Sequence, residues 1–306
     1  MSRLYSHVVV VGIDGAGAFI RDAETPDFDR IFSDGAVTYG ALASNPSISA
    51  ECWGAMLLGV GPEVHKLTNA TVSSVPYPTD AEFPSLFRRI RDAYPDAKLG
   101  SYCDWNPITF GIVENDIGVT HDTARDNELT PVICDYIKKM KPDFIFMQFD
   151  SVDGAGHKHG YGTPEHLKRI SEVDVLVGDV YRACEEAEML DDTLFIVIAD
   201  HGGTNPGYGS GGGHGGWTDG EKYVTFAATG KTVNKTEIAD MNIRDLAAIV
   251  LYALGIKIPC FDEKGWTSQI PEGIFSDTTL PPYRDISHLT GAAPRISKIP
   301  HTSELI

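Results

Sequence analysis

The sequence predicts an α/β protein in which helices cover both faces of a mostly parallel, doubly wound sheet. Short apolar runs alternate with amphipathic stretches along the chain, which is the pattern expected of such a sheet. At 306 residues, of which 42% are hydrophobic, the chain can bury a large core. Three of the apolar runs end on acidic residues. We expect one domain over residues 1–276, with cap or insertion elements within 66–125, and a separate tail over 277–306.

The elements near the N-terminus are predicted from apolar runs and capping signals. HVVVVGI (7–13) and AVTYGALA (36–43) are predicted strands, because continuous apolar runs of this length are typical of buried strands. TPDFDRIFSDG (25–35) predicts a short helix, since it opens with a capping threonine and a proline and stops at a glycine. AECWGAMLLG (50–59) has small and apolar residues at helical spacing and predicts a second helix.

The later elements are predicted in the same way. Further helices are expected at 83–95, 127–140, 163–190 and 242–255. Further strands are expected at 98–105, 143–149, 194–199 and 222–229. The proline-rich residues of 277–306 are weakly patterned, so we expect them to form either a strap over the surface or an arm between subunits of a homo-oligomer.

Composition excludes several classes of partner. The formal net charge of −18 argues against a nucleic-acid polymer, because proteins that bind one concentrate Lys and Arg against its phosphates. No segment approaches the roughly 20 apolar residues that span a membrane, and no signal peptide is visible. The five cysteines are scattered without CxxC spacing, which favours free thiols in a reducing compartment. We therefore expect a cytoplasmic protein with no membrane partner.

Acidic residues follow three of the predicted strands. Asp14 follows the first, Asp153 follows another with His157 four residues on, and Asp200-His201 follows a third. Because the carboxyl ends of parallel strands meet at one crevice, these side chains are expected to converge. Converging carboxylates repel each other unless cations lie among them. Mixed carboxylate and imidazole ligands favour zinc, manganese or iron over calcium.

A further candidate ligand lies in the glycine-rich loop 202–216. His214 in this loop could be an ordinary loop residue, but glycines allow the backbone to approach a site closely. A lone Asp after a strand is also more often a turn residue or helix cap. Three acidic strand ends beside a loop histidine favour a metal site over these alternatives. We expect His159 to be an outer or surface residue and four further histidines to be ordinary: His7, His65, His121 and His166.

Taken together, these motifs resemble the alkaline phosphatase superfamily, and within it the nucleotide pyrophosphatase/phosphodiesterase (type I phosphodiesterase) branch. TPDFDRIFSDGA is similar to the superfamily's Thr-Pro-x-Leu-Asp-x-Leu segment. DGAGHKHG is similar to its Asp-x-x-x-His-x-x-Gly motif, ADHGG to its Asp-His-Gly motif, and GHGGWTDGEKYVTFAATG to the segment with its last metal histidine. The family's nucleophile stands ten residues before a glycine, here Gly59, which gives Ser49.

The resemblance implies a two-metal site with a serine nucleophile. One ion would be held by Asp14, Ser49, Asp200 and His201, and the other by Asp153, His157 and His214. The ions implied are divalent, usually Zn²⁺, with Mn²⁺ as an alternative. Asn69 would hold a non-bridging phosphate oxygen together with the backbone N–H of Ala50. Lys66 stands where the family normally has glycine, so the turn that leads to Asn69 departs from the family pattern.

The implied activity is metal-dependent hydrolysis of phosphate esters through a phosphoseryl intermediate on Ser49. A phosphodiesterase or nucleotide pyrophosphatase is expected, acting on a small phosphorylated molecule such as a nucleotide. The alternatives are a phosphomonoesterase or phosphonate hydrolase, a phosphotransferase or mutase, and a non-catalytic metal-binding protein, against which the intact Ser49 argues. Four aromatic residues either rim the crevice or pack in the core: Trp53, Tyr102, Trp105 and Trp217.

Overall fold

Eight strands form one mixed sheet in the computed structural model, which describes residues 2–205, 211–277, 279–286 and 289. In chain order the strands are β1 (His7–Ile13), β2 (Ala36–Leu42), β3 (Leu99–Cys103), β4 (Thr120–Asp122), β5 (Phe144–Phe149), β6 (Thr193–Ala199), β7 (Tyr223–Thr229) and β8 (Thr236–Glu237). Their order in the sheet is β4-β3-β5-β1-β6-β7-β2-β8. Among these strands β7 alone runs antiparallel to its neighbours. The predicted mostly parallel sheet is confirmed.

The helices form two packed groups. In chain order they are α1 (Pro26–Ile31), α2 (Ser49–Leu58), α3 (Pro62–His65), α4 (Asn69–Ser74), α5 (Leu86–Ala93), α6 (Pro107–Gly111), α7 (Asp126–Met140), α8 (Ser151–His159), α9 (Pro164–Glu186), α10 (Asp219–Lys222) and α11 (Asp245–Ala253). α1, α7 and α8 pack on α9, whereas α2 packs with α3, α4, α6 and α11. These groups correspond to the two predicted helical layers.

The three central strands lie side by side and point the same way. β1 is paired with β5 on one side and with β6 on the other, both in parallel. Ile13 at the end of β1 is in register with Phe149 and with Ala199, the last residues of its two neighbours. All three strands are almost wholly buried. The polypeptide therefore leaves the sheet at three adjacent points along one edge.

The structure departs from the predicted boundaries for identifiable reasons. α11 begins at Asp245 rather than 242, because the Asn242 N–H donates to the Asp245 carboxylate and the Arg244 N–H donates to the Asn242 side chain. Such local side-chain bonds compete with helical hydrogen bonds. The short helix α8 was not predicted from the sequence, since it contains two glycines and only nine residues.

The segment 66–125 was expected to hold cap or insertion elements. Two of its elements, β3 and β4, instead extend the central sheet, with β3 paired to β5. The division between domain and insertion stays a prediction. Most of 277–306, including any subunit arm, lies outside the described residues.

Two predictions from composition bear on the whole chain. Its five cysteines are all free thiols in the structure, as predicted. Among the described residues no helix combines the length and the apolar character that a membrane span requires. The cytoplasmic location stays a prediction.

Candidate functional site

Ser49 is the first residue of α2. A serine near the start of a helix is often simply its N-cap, but here the N-cap is Ile48 and no side chain caps the helix. The Ser49 Oγ instead lies 3.2 Å from the Nε2 atom of His201. The start of a helix carries unpaired N–H groups and a partial positive charge, which favour an anion such as phosphate. A hydroxyl therefore stands where a phosphate group would be attracted.

Asp14, Asp200 and His201 form a buried cluster beside this serine. The His201 Nε2 lies 3.4 Å from Asp14 Oδ1 and 3.3 Å from Asp200 Oδ2. Each of the three residues is at most 1% exposed. Within the described part of the chain neither of those carboxylate oxygens has a hydrogen-bond partner. Buried, unpaired carboxylates are strongly unfavourable unless a cation compensates them.

The other oxygen of each carboxylate is fixed by hydrogen-bond donors. Asp14 Oδ2 accepts hydrogen bonds from Trp53 Nε1 and Gln148 Nε2, both at 3.0 Å. Asp200 Oδ1 accepts from two backbone N–H groups. Each side chain is thus held so that its unpaired oxygen faces His201. Trp53 and Gln148 were missed as site residues, although a glutamine in the otherwise apolar strand β5 was a signal that could have identified the second.

Asp153, His157 and His214 form a second cluster. Asp153 and His157 lie one turn apart on α8, with 3.1 Å between Asp153 Oδ2 and His157 Nε2. The loop residue His214 places its Nε2 atom 3.2 Å from His157 Nε2 and 3.9 Å from Asp153 Oδ1. The His214 ring stacks on the ring of His201 at a centroid distance of 3.8 Å. The two clusters are therefore adjacent.

The three histidines share one orientation. The Nδ1 atoms of His157, His201 and His214 face backbone carbonyl oxygens at 3.2, 2.9 and 2.7 Å. Because a carbonyl oxygen can only accept, each Nδ1 carries a proton, which leaves each Nε2 to bind either a metal ion or a second proton. Metal-binding histidines are held in this way by their second nitrogen. Facing Nε2 lone pairs would repel each other unless a metal ion or a proton lies between them.

The pKa shifts show that burial disfavours the charged forms of Asp14, Asp200 and His201, whereas the bond between Asp153 and His157 favours the charged forms of that pair. Burial, and then the charge of Asp200, raises the pKa of Asp14 well above its usual value. Burial likewise raises the pKa of Asp200 and lowers that of His201 to about 3. The hydrogen bond to Asp153 raises the pKa of His157 to about 9. Burial opposes ionisation of Asp153 as well, but the bond from His157 lowers its pKa overall.

The structure brings all seven predicted ligands together. Two sets of ligand atoms lie within 4.8 Å of one another, Asp14 with Asp200 and His201, and Asp153 with His201 and His214. His201 belongs to both sets. His157 belongs to neither, but it contacts Asp153 and His214 of the second set. Carboxylate oxygens and imidazole nitrogens fit zinc or manganese. The assignment of ligands to ions, and the identity of the ions, stay predictions.

Asn69 lies at the start of α4 and faces the first turn of α2. The preceding turn uses Lys66 with a φ of 58°, a conformation that glycine adopts more readily, at the position where the family normally has glycine. The backbone N–H of Ala50 donates to Asn69 Oδ1 at 2.9 Å. The expectation that this N–H is free for phosphate is therefore wrong in this structure. The Asn69 Nδ2 remains available as a donor.

The aromatic candidates divide between core and surface. Trp53 and Tyr102 are buried, and they pack on Phe146 and Tyr136. Trp105 and Trp217 are partly exposed. His65 and His166 hydrogen-bond to the backbone, whereas His121 and His159 are exposed.

Comparisons with known proteins address the family. A sequence model of the family described as type I phosphodiesterase / nucleotide pyrophosphatase matches residues 71–206, which include the motifs around Asp153 and Asp200. The fold matches that of murine ectonucleotide pyrophosphatase / phosphodiesterase 5 with a TM-score of 0.68, over 83% of this chain and 97% of that one, at 15% identity. Over residues 71–206 this chain is thus similar to the type I phosphodiesterase / nucleotide pyrophosphatase family, and it has the fold of ectonucleotide pyrophosphatase / phosphodiesterase 5.

The chain is also similar to proteins that are named for other activities. A 2-O GAG sulfatase has the same fold with a TM-score of 0.67, at 14% identity, over 86% of this chain and 73% of that one. GPI ethanolamine phosphate transferase 2 of Aspergillus fumigatus is 25% identical over 230 residues, which are 72% of this chain and 29% of that protein. The catalytic subunit of human GPI ethanolamine phosphate transferase 3 is 37% identical over 65 residues, 21% of this chain and 6% of that protein. The chain thus spans less than a third of the length of these curated relatives.

Proposed function

We propose that this protein cleaves phosphate esters, with a preference for diesters, by attack of Ser49 at phosphorus. The position of the Ser49 Oγ carries the proposal. It lies at the start of α2 and 3.2 Å from His201 Nε2, beside two buried carboxylate oxygens that have no hydrogen-bond partner in the described chain. A serine in such a place can act as a nucleophile once its proton is lost.

The unpaired carboxylate oxygens and the three histidine Nε2 atoms that face the site fit a pair of divalent cations, for which zinc is the first candidate. Bound cations would lower the pKa of the Ser49 hydroxyl and offset the charge of the phosphate. The residues that would hold them are Asp14, Ser49, Asp200 and His201 on one side and Asp153, His157 and His214 on the other.

The chain's own residues account for two in-line displacements. In the first, the Ser49 Oγ loses its proton to solvent and forms a bond to phosphorus, while the bond from phosphorus to the leaving oxygen breaks and that oxygen takes up a proton from solvent. The N-terminus of α2 and the Asn69 Nδ2 stabilise the negative charge on the remaining oxygens. In the second, a water molecule loses a proton and its oxygen bonds to phosphorus, while the bond to Ser49 breaks and the serine oxygen takes up a proton, which restores the hydroxyl.

The charges around the site support a diester substrate. Within the described chain, the ion pairs of Asp14, Asp153 and Asp200 involve histidines alone. The second oxygen of Asp14 is also occupied by two N–H donors, so it is not placed to hold a further cation. A monoester carries one more negative charge than a diester and would need such a group. Because a structure of the murine protein holds AMP, nucleotides are the first natural substrates to test.

A second candidate is transfer to an alcohol. The curated relatives are named as ethanolamine phosphate transferases. A phosphorylated Ser49 could be released by an alcohol hydroxyl in place of water, with no change in the residues that form it. The two candidates differ only in the acceptor of the second displacement.

Hydrolysis of matched aryl esters by zinc-loaded protein tests the proposal. Bis(4-nitrophenyl) phosphate, 4-nitrophenyl phosphate and 4-nitrophenyl sulfate would be compared, each with and without ethanolamine. We expect the diester to be the best substrate and Ser49→Ala to lower its turnover at least about 1000-fold. Ser171→Ala, which changes a serine on α9, is the control. Equal turnover by wild type and Ser49→Ala would overturn the proposal, whereas ethanolamine esters among the products would identify a transferase.

A further inference from the structure

Tyr161 lies two residues after α8 and points into the second cluster. Its side chain is completely buried. Its hydroxyl donates a 2.5 Å hydrogen bond to Asp153 Oδ1, on the opposite oxygen from the one that faces His157. Because an ionised carboxylate can only accept, the Tyr161 hydroxyl is the donor of this bond. Both oxygens of Asp153 thus have a partner on the protein.

The Tyr161 ring contacts three segments that carry ligands of the two clusters. An added Cβ would lie 2.4 Å from a ring carbon at Gly156, 2.3 Å at Gly203 and 2.3 Å at Gly212. Gly156 is on α8 between Asp153 and His157. Gly203 follows the Asp200-His201 pair, and Gly212 precedes His214. Because real Cβ atoms do not come that close, the ring occupies a slot that three glycines leave open.

The backbone of Tyr161 is held as firmly as its ring. Its N–H donates to Asn205 Oδ1 at 2.9 Å, and its carbonyl accepts from Asn205 Nδ2 at 3.0 Å. Asn205 follows His201 by four residues, so this pair of bonds joins the end of α8 to the segment beyond β6. Because both the backbone and the ring of Tyr161 are fixed, its hydroxyl can hold a neighbouring carboxylate in a single orientation.

We propose that Tyr161 is the positioning residue of the second metal site. Its hydroxyl orients Asp153 toward the ion, and its ring sets the spacing between α8 and the loop that carries His214. Residues that hydrogen-bond to a metal ligand typically contribute 10–100-fold to metal affinity. The inference rests on the two-metal centre of the proposed function, but not on the substrate or on the reaction.

Zinc binding by Tyr161→Phe tests this role without an activity assay. The change removes the hydroxyl and keeps the ring. Tyr5→Phe is the matched control, because Tyr5 is equally buried and its hydroxyl lies 2.8 Å from Thr232 Oγ1. Both Tyr5 and Thr232 are outside the site. Competition against a chelator would give the two zinc affinities. We expect Tyr161→Phe to bind the second zinc about 10–100-fold more weakly and the first unchanged, and Tyr5→Phe to bind both as wild type does. Wild-type affinity at both sites in Tyr161→Phe would overturn the proposal.

Urea unfolding of the metal-free proteins separates positioning from general support of the fold. We expect the two variants to shift the midpoint to a similar extent, since each loses the hydroxyl of a buried tyrosine. An equal loss of both zinc affinities in Tyr161→Phe, with a midpoint far below that of Tyr5→Phe, would show a merely structural role and overturn the proposal. Failure of the wild type to bind zinc would overturn the metal centre itself. Zinc binding that responds as expected in a protein without phosphodiesterase activity would overturn the proposed function and leave the role of Tyr161 standing.

Discussion

The Asn69 side chain accepts a 2.9 Å hydrogen bond from the backbone N–H of Ala50, the residue that follows Ser49. Because an N–H group can only donate, the atom of Asn69 that meets it must be the amide oxygen. The Asn69 Nδ2 is thereby directed away from the backbone of α2. This one hydrogen bond thus fixes where the Asn69 amide lies, and it leaves the Nδ2 as the group that can donate beside the nucleophile.

Replacing Asn69 by aspartate tests whether that donor binds phosphate. Asn69→Asp keeps an oxygen for the Ala50 N–H but replaces the donor with a negatively charged acceptor. We expect kcat/KM for the aryl diester to fall about 100–1000-fold, the loss typical for one oxyanion donor, with unchanged zinc content. Asn127→Asp makes the same change of charge at an exposed position on α7 and should behave as wild type. Equal losses in both variants would instead indicate a long-range effect of charge.

Alanine substitutions at two neighbouring glycines, Gly212 and Gly213, test the slot that holds the Tyr161 ring. Gly212→Ala would place a Cβ 2.3 Å from the Tyr161 ring, whereas a Cβ on Gly213 meets nothing within 4 Å. We expect Gly212→Ala to displace the ring or the loop and to lower the second zinc affinity by at least about tenfold, the range for loss of a supporting contact. Gly213→Ala should keep the wild-type affinity. Zinc titration of the two variants checks this, and equal affinities would show that the loop tolerates the clash.

The convergence of the site could be predicted because it depends on topology alone. Asp14 and Asp200 directly follow parallel strands, and the register of Ile13 with Phe149 and Ala199 confirms that these strands end together. A loop histidine next to three acidic residues was sufficient to add His214. No knowledge of side-chain packing was required for these inferences.

The residues that orient the ligands could not be predicted, because their roles depend on packing between distant segments. Trp53 reaches Asp14 across 39 positions and Gln148 reaches it across 134. Tyr161 lies near Asp153 in sequence, but its slot is formed by glycines on three separate segments. The link between Ala50 and Asn69 likewise depends on how α4 packs on α2. Sequence patterns identify chemical groups more readily than the contacts that aim them.

Zinc affinity should depend on pH through His157. The hydrogen bond to Asp153 raises the pKa of His157 to about 9, so below that pH the metal-free side chain carries a proton on the nitrogen that faces the site. Zinc must displace this proton, and its apparent affinity for the second site should therefore rise about tenfold per pH unit from pH 7 to pH 9. Chelator competition across this range would measure the slope. His157→Gln has no proton to lose, and we expect it to show weaker binding with a shallower slope. A flat wild-type profile would contradict the assignment of His157 as a ligand.

The change in stability caused by neutralising Asp14 should have opposite signs in the metal-free and the zinc-bound protein. Burial raises the pKa of this carboxyl, so without metal the folded state binds the proton more tightly than the unfolded state does. The stability of the metal-free protein must then fall as pH rises above the unfolded value of about 4. Asp14→Asn removes the charge. Its amide oxygen can still accept from Trp53 and Gln148, and its Nδ2 would face the His201 lone pair. We therefore expect the metal-free variant to be more stable than metal-free wild type at pH 8, by roughly 1–3 kcal/mol.

With zinc bound, wild type should be more stable than Asp14→Asn. Wild type gains the binding free energy of the first ion, whereas Asp14→Asn has lost a ligand and gains little. Urea unfolding at pH 8 with zinc and with EDTA measures both orders. Asp174→Asn changes another buried carboxylate, one that accepts the N–H groups of Asp27 and Phe28 outside the site, and it should respond to zinc as wild type does. An Asp14→Asn variant that is less stable than wild type in EDTA would show that its carboxylate is not the uncompensated charge that the geometry implies. A variant that still gains the full stabilisation from zinc would show that Asp14 is not a ligand.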